Sequence, residues 1–321
     1  MWASIEGRRR RLVPARLTWI RWERMPLDIM LPYWGDPAIL KKTVESVFAQ
    51  TSDDWRLTVV DDAYPDLTVK EWFATIDDPR VRYVRKEQNE GITANYRTCL
   101  ELATQDYMMF LGSDDMLLPN FVEVVTAAVA AHPGVDVVQP GVQVIDEHDR
   151  VVRTLVDEVK QCVTMPRGSG TRVVGGESLA TSLLHADWMY WPSLVFRTET
   201  VRRTPFRDGF PLIQDLALVI DMILAGGRML LLPAVCFSYR RHQASASSAT
   251  LLDGRRFQGE RDYFAFAAQQ MREHGWRRAE RAARLHVTSR LHALTLLPRA
   301  VRERGASPRP LLRHAFGSSS S

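Results

Sequence analysis

Three acidic sites stand where strands or a helix could aim them at one crevice. Asp61 and Asp62 follow the apolar run Leu57-Thr58-Val59-Val60, Asp114 and Asp115 follow Tyr107-Met108-Met109-Phe110-Leu111, and Asp215 opens a long apolar helix. Adjacent carboxylates at the end of a buried strand repel one another and need a cation, hydrogen-bond donors or water. A hard divalent cation with oxygen ligands, shared with substrate phosphates, meets that need. A solvated turn that also caps the helix after Pro119 meets it equally well, and these residues alone leave both readings open.

The elements that must carry these carboxylates read as alternating strands and helices. Residues 27–31 form a short strand ended by Pro32, and Asp36-Pro37 then supplies a helix start with proline in the first turn. Leu40, Val44, Val47 and Phe48 share one face of that helix. Strands follow at 55–60, 81–84, 107–111 and 135–138, with helices at 68–76, 92–103 and 119–132 between them. The unbroken apolar run at 107–111 marks a central strand covered on both faces. This alternation predicts a mainly parallel sheet with helices on both sides, and such sheets collect ligands at the carboxyl ends of their strands. Residues 142–174 are harder to place. Beyond them a helix over 177–184, a strand over 192–196 and a helix over 212–225 are expected. Two strands, at 229–232 and 235–239, and two amphipathic helices, at 257–271 and 278–297, follow. The serine-rich stretch 244–250 reads as a mobile loop.

Seven short motifs spread over residues 27–248 stand in the order that one known family shares. Pro32-Tyr33-Trp34-Gly35 stands where the family has Pro-x-Tyr-Asn, and Ser46-Val47-Phe48-Ala49-Gln50 matches its Ser-Val-x-x-Gln. Val60-Asp61-Asp62-Ala63-Tyr64 matches Val-Asp-Asp-Gly-Ser, and Asn89-Glu90-Gly91 with Asn95 matches Asn-x-Gly and its later asparagine. Gly112-Ser113-Asp114-Asp115 matches the metal turn, Gln214-Asp215 the late Glu-Asp pair, and Tyr239-Arg240-Arg241-His242 the closing Tyr-Arg-x-His. Each motif is weak alone. Their shared order is strong, and residues 27–248 resemble the family 2 glycosyltransferases of the GT-A fold.

The resemblance implies an inverting transfer from a nucleoside-diphosphate sugar to an acceptor hydroxyl, dependent on Mn²⁺ or Mg²⁺. Asp61 would accept a hydrogen bond from the nucleobase and Trp34 would stack on it. Pro32, Asn89, Gly91 and Asn95 would complete the donor pocket, and Arg241, with Arg240, would reach the diphosphate. Asp115 would bind the metal, Asp114 the ribose or a metal-bound water, and His242 would serve as a third ligand or phosphate contact. Asp215 would be the general base, a role typically worth about 10²–10⁴-fold in rate. Trp188-Met189-Tyr190-Trp191-Pro192 reads equally as a sugar-stacking acceptor wall or as core. Four positions depart from the pattern: Gly112 for the first metal-turn aspartate, Gln214 for glutamate, Ala94 for arginine and Gly35 for asparagine. The departures thin the metal and diphosphate contacts but keep the base and the last metal aspartate. The rival readings are a sugar nucleotidyltransferase and a degenerate nucleotide-sugar-binding protein. The first would want a glycine-rich basic loop after the opening strand, where Pro32 to Pro37 carries an aspartate and no lysine.

Composition agrees with a folded α/β protein. The 321 residues are 45% hydrophobic and 25% charged, enough for one large domain with an appendage. Four divisions are expected: an extension over 1–25, a GT-A domain over 26–250, a basic helical region over 251–316 and a disordered tail over 317–321. Cys99, Cys162 and Cys236 are too scattered for a disulfide framework or a zinc site, which fits a reducing cytoplasm. Neither a signal peptide nor a membrane span is expected, since Asp221, Gly226, Gly227 and Arg228 interrupt the most apolar window. Net charge is +4, with arginines gathered at both ends. They suggest solvated faces or peripheral contact with the inner face of a membrane, where the acceptor would be saccharide, lipid-linked or a small molecule. No nucleic-acid-binding motif is present.

Overall fold

The structure is a computed structural model that describes residues 25–158, 164–166, 168, 170–210, 212–241, 255–302 and 308–316. The expected N-terminal extension, His242, the serine-rich loop and the C-terminal tail therefore lie outside the described residues, apart from Met25.

The first half of the chain builds the parallel part of the sheet. Strands β1 (Leu27–Tyr33), β2 (Trp55–Asp61), β3 (Val81–Arg85) and β4 (Tyr107–Phe110) lie in the order β3-β2-β1-β4, all parallel. Helices α1 (Pro37–Phe48), α2 (Thr68–Phe73) and α3 (Ile92–Leu102) connect them. The Asp36 carboxylate accepts from the Ala38 N–H at 2.7 Å and Pro37 sits in the first turn, so α1 starts where a cap and a fixed φ both favour it. β4 shows how a central strand is held. Met108 and Phe110 face one core layer, with α3 residues such as Cys99, while Tyr107 and Met109 face the other, with Leu40, Val44 and Val47 of α1.

β1 does not end at Pro32, as the sequence predicts, but continues to Tyr33 against β2. Its ladder to β4 stops at Met30, whose carbonyl accepts from Leu111 N–H at 2.8 Å. Pro32 has no N–H to carry that ladder on, so β1 and β4 part while β1 and β2 stay paired. The opening lies at the carboxyl ends of these strands.

The second half adds antiparallel and mixed pairing. β5 (Met116–Leu117) leads into α4 (Phe121–Ala131) and β6 (Val137–Ile145), and then comes the short helix α5 (Leu155–Glu158). β7 (Arg172–Gly175), α6 (Gly176–His185), β8 (Val195–Arg197) and α7 (Thr198–Arg203) precede α8 (Gln214–Leu224) and β9 (Arg228–Arg240). β8 runs antiparallel between β4 and β6, and β9 is parallel to β6 but antiparallel to β5 and β7. The two late strands expected from the sequence are one strand. Pro233 lies between its halves, where the register against β6 shifts between Gln139 and Val142.

α8 is apolar almost all round and buried, as a helix inside a core must be, and its Asp221 is held by the Arg207 fork at 2.6 and 3.0 Å. Among the described residues four C-terminal helices follow: α9 (Arg255–Glu273), α10 (Arg277–Leu285), α11 (Val287–Arg302) and α12 (Arg309–Phe316). The helix expected over 278–297 is two helices, broken at His286, whose φ is +27°. Tyr263, Phe264, Ala267 and Met271 of α9 and Ala279 and Ala283 of α10 join the same core as α8. Among the described residues no helix is long and apolar enough to cross a membrane.

Candidate active site

The carboxyl edge of β1, β2 and β4 carries the residues picked out from the sequence. Trp34 follows β1, Asp61 ends β2 with Asp62 just beyond it, and Asp114 and Asp115 follow β4. The turn after β1 meets the turn after β4, because a Cβ on Gly35 would lie 3.7 Å from Ser113 Oγ. Thr43 of α1 donates to the Ser113 carbonyl at 3.1 Å and fixes the second turn from below.

Asp61 is fully buried. One oxygen accepts from Tyr64 N–H at 2.7 Å, and the other accepts from the Tyr83 hydroxyl and the Arg85 guanidinium. Burial, and then Asp61, hold the Tyr83 hydroxyl well above its ordinary pKa. Trp34 is half exposed, 49%, and meets Tyr64 in a T-shaped contact with ring centroids 5.2 Å apart.

Asp62, for which the sequence suggested no separate role, clamps the loop before α3. It accepts from Gly91 N–H at 2.8 Å and pairs with Lys86 at 3.2 Å. Gly91, at φ +85°, adopts a conformation that disfavours other residues, and Asn89 Oδ1 accepts from its N–H at 3.1 Å. Asn95, buried one turn into α3, donates to the Val60 carbonyl at 2.9 Å while its Oδ1 has no hydrogen-bond partner. Thr93 of α3 donates to Gln214 Oε1 at 2.8 Å, which staples the start of α8 to the start of α3. That bond brings Asp215 to the same edge as the other carboxylates.

Asp114 and Asp215 both act on one phenol. Burial pushes the Tyr96 hydroxyl far above its usual range, and Asp215 and Asp114 push it further. Tyr96, Trp191, Leu212, Gln214 and Asp215 line a cleft of about 110 Å³. Trp191 Nε1–H donates to Tyr96 Oη at 3.1 Å and its ring stacks on Phe110 at 5.6 Å. The aromatic run thus divides: Trp188, Met189 and Tyr190 are core, and Trp191 reaches the cleft.

Asp115 is the most electrostatically loaded group at this edge. It is 1% exposed; its Oδ1 accepts from Arg240 N–H at 2.8 Å, and its Oδ2 has no hydrogen-bond partner among the described residues. Burial first and Asp114 second raise its pKa well above the carboxylate range, against the Arg240 N–H and charge. The missing side chain at Gly112 makes room for it, since a Cβ there would stand 2.5 Å from Asp115 Oδ2 and 3.1 Å from Asp114 Oδ1. The glycine that replaces the first aspartate of the turn is thus a packing requirement of the other two. Among the described residues no group of three or more His, Cys, Asp or Glu side chains surrounds a common point.

The two closing arginines are both engaged by acceptors of the protein itself. Arg240 is buried behind the turn, where Nε donates to the Asp114 carbonyl at 2.7 Å and Nη1 to the Asp146 carbonyl at 3.0 Å. Nη1 also pairs with the Asp149 carboxylate at 2.5 Å. Arg241 makes a two-pronged contact with Asp157, 2.7 Å at each prong. Burial opposes the Asp157 charge, but Arg241 and Thr154 hold its pKa below the usual value. A Tyr-Arg-Arg run at a strand end does not reveal which arginine turns inward. The one signal is the alternation of β9, which sends neighbours to opposite faces.

Residues 28–173 match the family model described as glycosyl transferase family 2. The putative glycosyltransferase EpsE of Bacillus subtilis (strain 168) is 30% identical over 123 residues, 38% of this chain and 44% of that protein. The putative colanic acid biosynthesis glycosyl transferase WcaA of Escherichia coli (strain K12) is 26% identical, over 32% of this chain and 37% of that protein. The chain therefore spans less than half the length of either relative. In the solved structures, S. aureus TarS 1–349 in complex with UDP-GlcNAc superposes with a TM-score of 0.67. The match covers 90% of this chain and 79% of that one, at 13% identity, and gives the GT-A fold with added C-terminal helices. Residues 28–173 are thus similar in sequence to the family 2 glycosyltransferases, and the chain around them has the GT-A fold.

Proposed function

We propose that the protein transfers a glycosyl residue from a nucleoside-diphosphate sugar to an acceptor hydroxyl, with inversion at the anomeric carbon. The observation that carries this reading is Asp115, a buried carboxylate with an unpartnered oxygen beside Asp114 at the carboxyl edge of β4. Such a group is costly alone and suited to a hard cation that shares its charge with phosphate oxygens. Asp115 and Asp114 would hold Mn²⁺ or Mg²⁺, and His242, outside the described residues, is the third candidate. Bound there, the ion would neutralise charge on the departing nucleoside diphosphate.

The chain's own residues supply the rest. Trp34 offers a ring face to the nucleobase. Asp61 orders the wall made by Tyr64, Tyr83 and Arg85 and keeps capacity for one further hydrogen bond from the base. Asn89, Gly91 and Asn95 shape the donor pocket from the α3 side, and Pro32 from the floor. Arg241 would reach a diphosphate only by exchanging Asp157 for a phosphate oxygen. Asp215, in the cleft with Trp191, takes the proton of the acceptor hydroxyl as its oxygen bonds to the anomeric carbon and the bond to the diphosphate breaks. The indole wall suits the apolar face of a sugar ring, so a saccharide of a polysaccharide or glycoconjugate is the acceptor favoured here.

Asp215→Asn tests the base. The amide keeps the volume and cannot take the proton, so donor affinity should hold while transfer falls on the order of 10²-fold or more. Near-normal transfer would reduce Asp215 to a residue of the first helical turn.

A further inference from the structure

The C-terminal helices show a second surface. α9, α11 and α12 close a small core of Phe257, Ala293, Ala300 and Leu311. The face of α11 opposite Ala293 and Ala300 carries Val287, Leu291 and Val301, which are 43%, 54% and 71% exposed. At about 100° per residue, Leu291 and Val301 flank Val287 by roughly 40° on either side, a single stripe. α12, which packs against α11, repeats the arrangement: Leu311, His314 and Ala315 point inward, and Leu312 and Phe316 outward, 42% and 72% exposed. Arg309 and Arg313 are exposed at the same helical spacing beside them. Apolar side chains this exposed and this regular are not the single scattered hydrophobics of an ordinary surface.

We infer that this α11–α12 face seats on an anionic lipid surface. Phe316, Leu291 and Val301 would enter the boundary between headgroups and acyl chains, and Arg309 and Arg313 would meet lipid phosphates. Charge decides between this occupant and a second copy of the chain. A symmetric self-contact would bring two copies of the same basic patch together, whereas an anionic surface complements its charge. The inference is independent of the proposed transfer reaction, since it uses no residue of the crevice.

The test is cosedimentation of the full chain with vesicles of phosphatidylcholine alone or mixed equally with phosphatidylglycerol, in low and high salt. Binding is expected to the anionic vesicles, weaker in high salt and absent from the neutral ones. Phe316→Glu should lower partitioning by about tenfold or more, from the loss of one buried aromatic side chain. Arg309→Gln with Arg313→Gln should lower it on the order of tenfold as well. All three positions are exposed, and an unchanged melting curve and unchanged nucleotide binding would show that the variants fold. Failure to bind anionic vesicles would overturn the inference, as would binding that these variants leave untouched. A concentration-dependent dimer in sedimentation velocity that Phe316→Glu abolishes would instead identify a second copy as the occupant.

Discussion

Gly112→Ala is a one-methyl change aimed at the centre of the site. The backbone at Gly112 carries no positive φ, so alanine meets no conformational penalty there. Its Cβ, however, would stand 2.5 Å from Asp115 Oδ2 and 3.1 Å from Asp114 Oδ1. Restoring an ordinary contact of about 3.4 Å requires the Asp115 carboxylate to retreat by roughly 0.9 Å. It has little freedom to do so, since the residue is 1% exposed and its other oxygen is held by Arg240 N–H. Overpacking of this kind typically costs about 1–3 kcal/mol. The functional effect should be larger than the loss of stability, because site geometry tolerates only about 0.5 Å and a 1 Å misplacement can cost about 10²-fold. Denaturant unfolding gives the first quantity, and calorimetric titration of a nucleoside diphosphate with Mn²⁺ gives the second. A variant that binds the nucleotide and cation as the parent does would refute the reasoning, for then Asp115 Oδ2 is not the ligand.

Asp115 also sets a pH dependence. A carboxyl whose folded pKa lies above its unfolded value binds its proton more tightly when folded. Its contribution to stability is therefore present at low pH and is lost as pH rises from the usual carboxylate range through the raised value. Cation competes with that proton, so Mn²⁺ affinity should climb across the same window. Asp115→Asn should abolish the climb, lose metal-dependent donor binding and gain stability over the metal-free parent as pH rises, measured by melting at several pH values. Arg240→Met should destabilise by about 3 kcal/mol, the low end for breaking a buried ion pair, because its partner Asp149 is partly exposed. Urea unfolding checks this, and a loss under about 1 kcal/mol would mean Arg240 does not brace the turn.

Much of this was legible in the residues, for reasons that differ by element. β4 announces itself because a strand buried on both faces is apolar without a break, and paired aspartates mark the ends of β2 and β4. The second half was less readable. β8 is three residues long, and Pro233 made one strand look like two. Helix periodicity across 278–297 hid a break at His286, since apolar spacing continues through it while the backbone does not. At the candidate site, motif order singles out Asp61, Asp114, Asp115 and Asp215, but no pattern shows a contact between distant side chains. The Arg240 brace, the Asp62 clamp on Gly91 and the Thr93–Gln214 staple all join residues that are far apart in the chain. The Gly112 substitution likewise looked like a lost ligand until the space it vacates was seen to hold Asp115 Oδ2.

The central claim is a donor site whose nucleotide binds with a cation on Asp115. The measurement that tests it most directly is calorimetric titration of the protein with each common nucleoside diphosphate, with Mn²⁺ and with chelator. At least one nucleotide is expected to bind tenfold or more tightly with Mn²⁺, and Asp115→Asn to remove the difference. Binding that is indifferent to the cation in the parent, or cation-dependent still in Asp115→Asn, would contradict it.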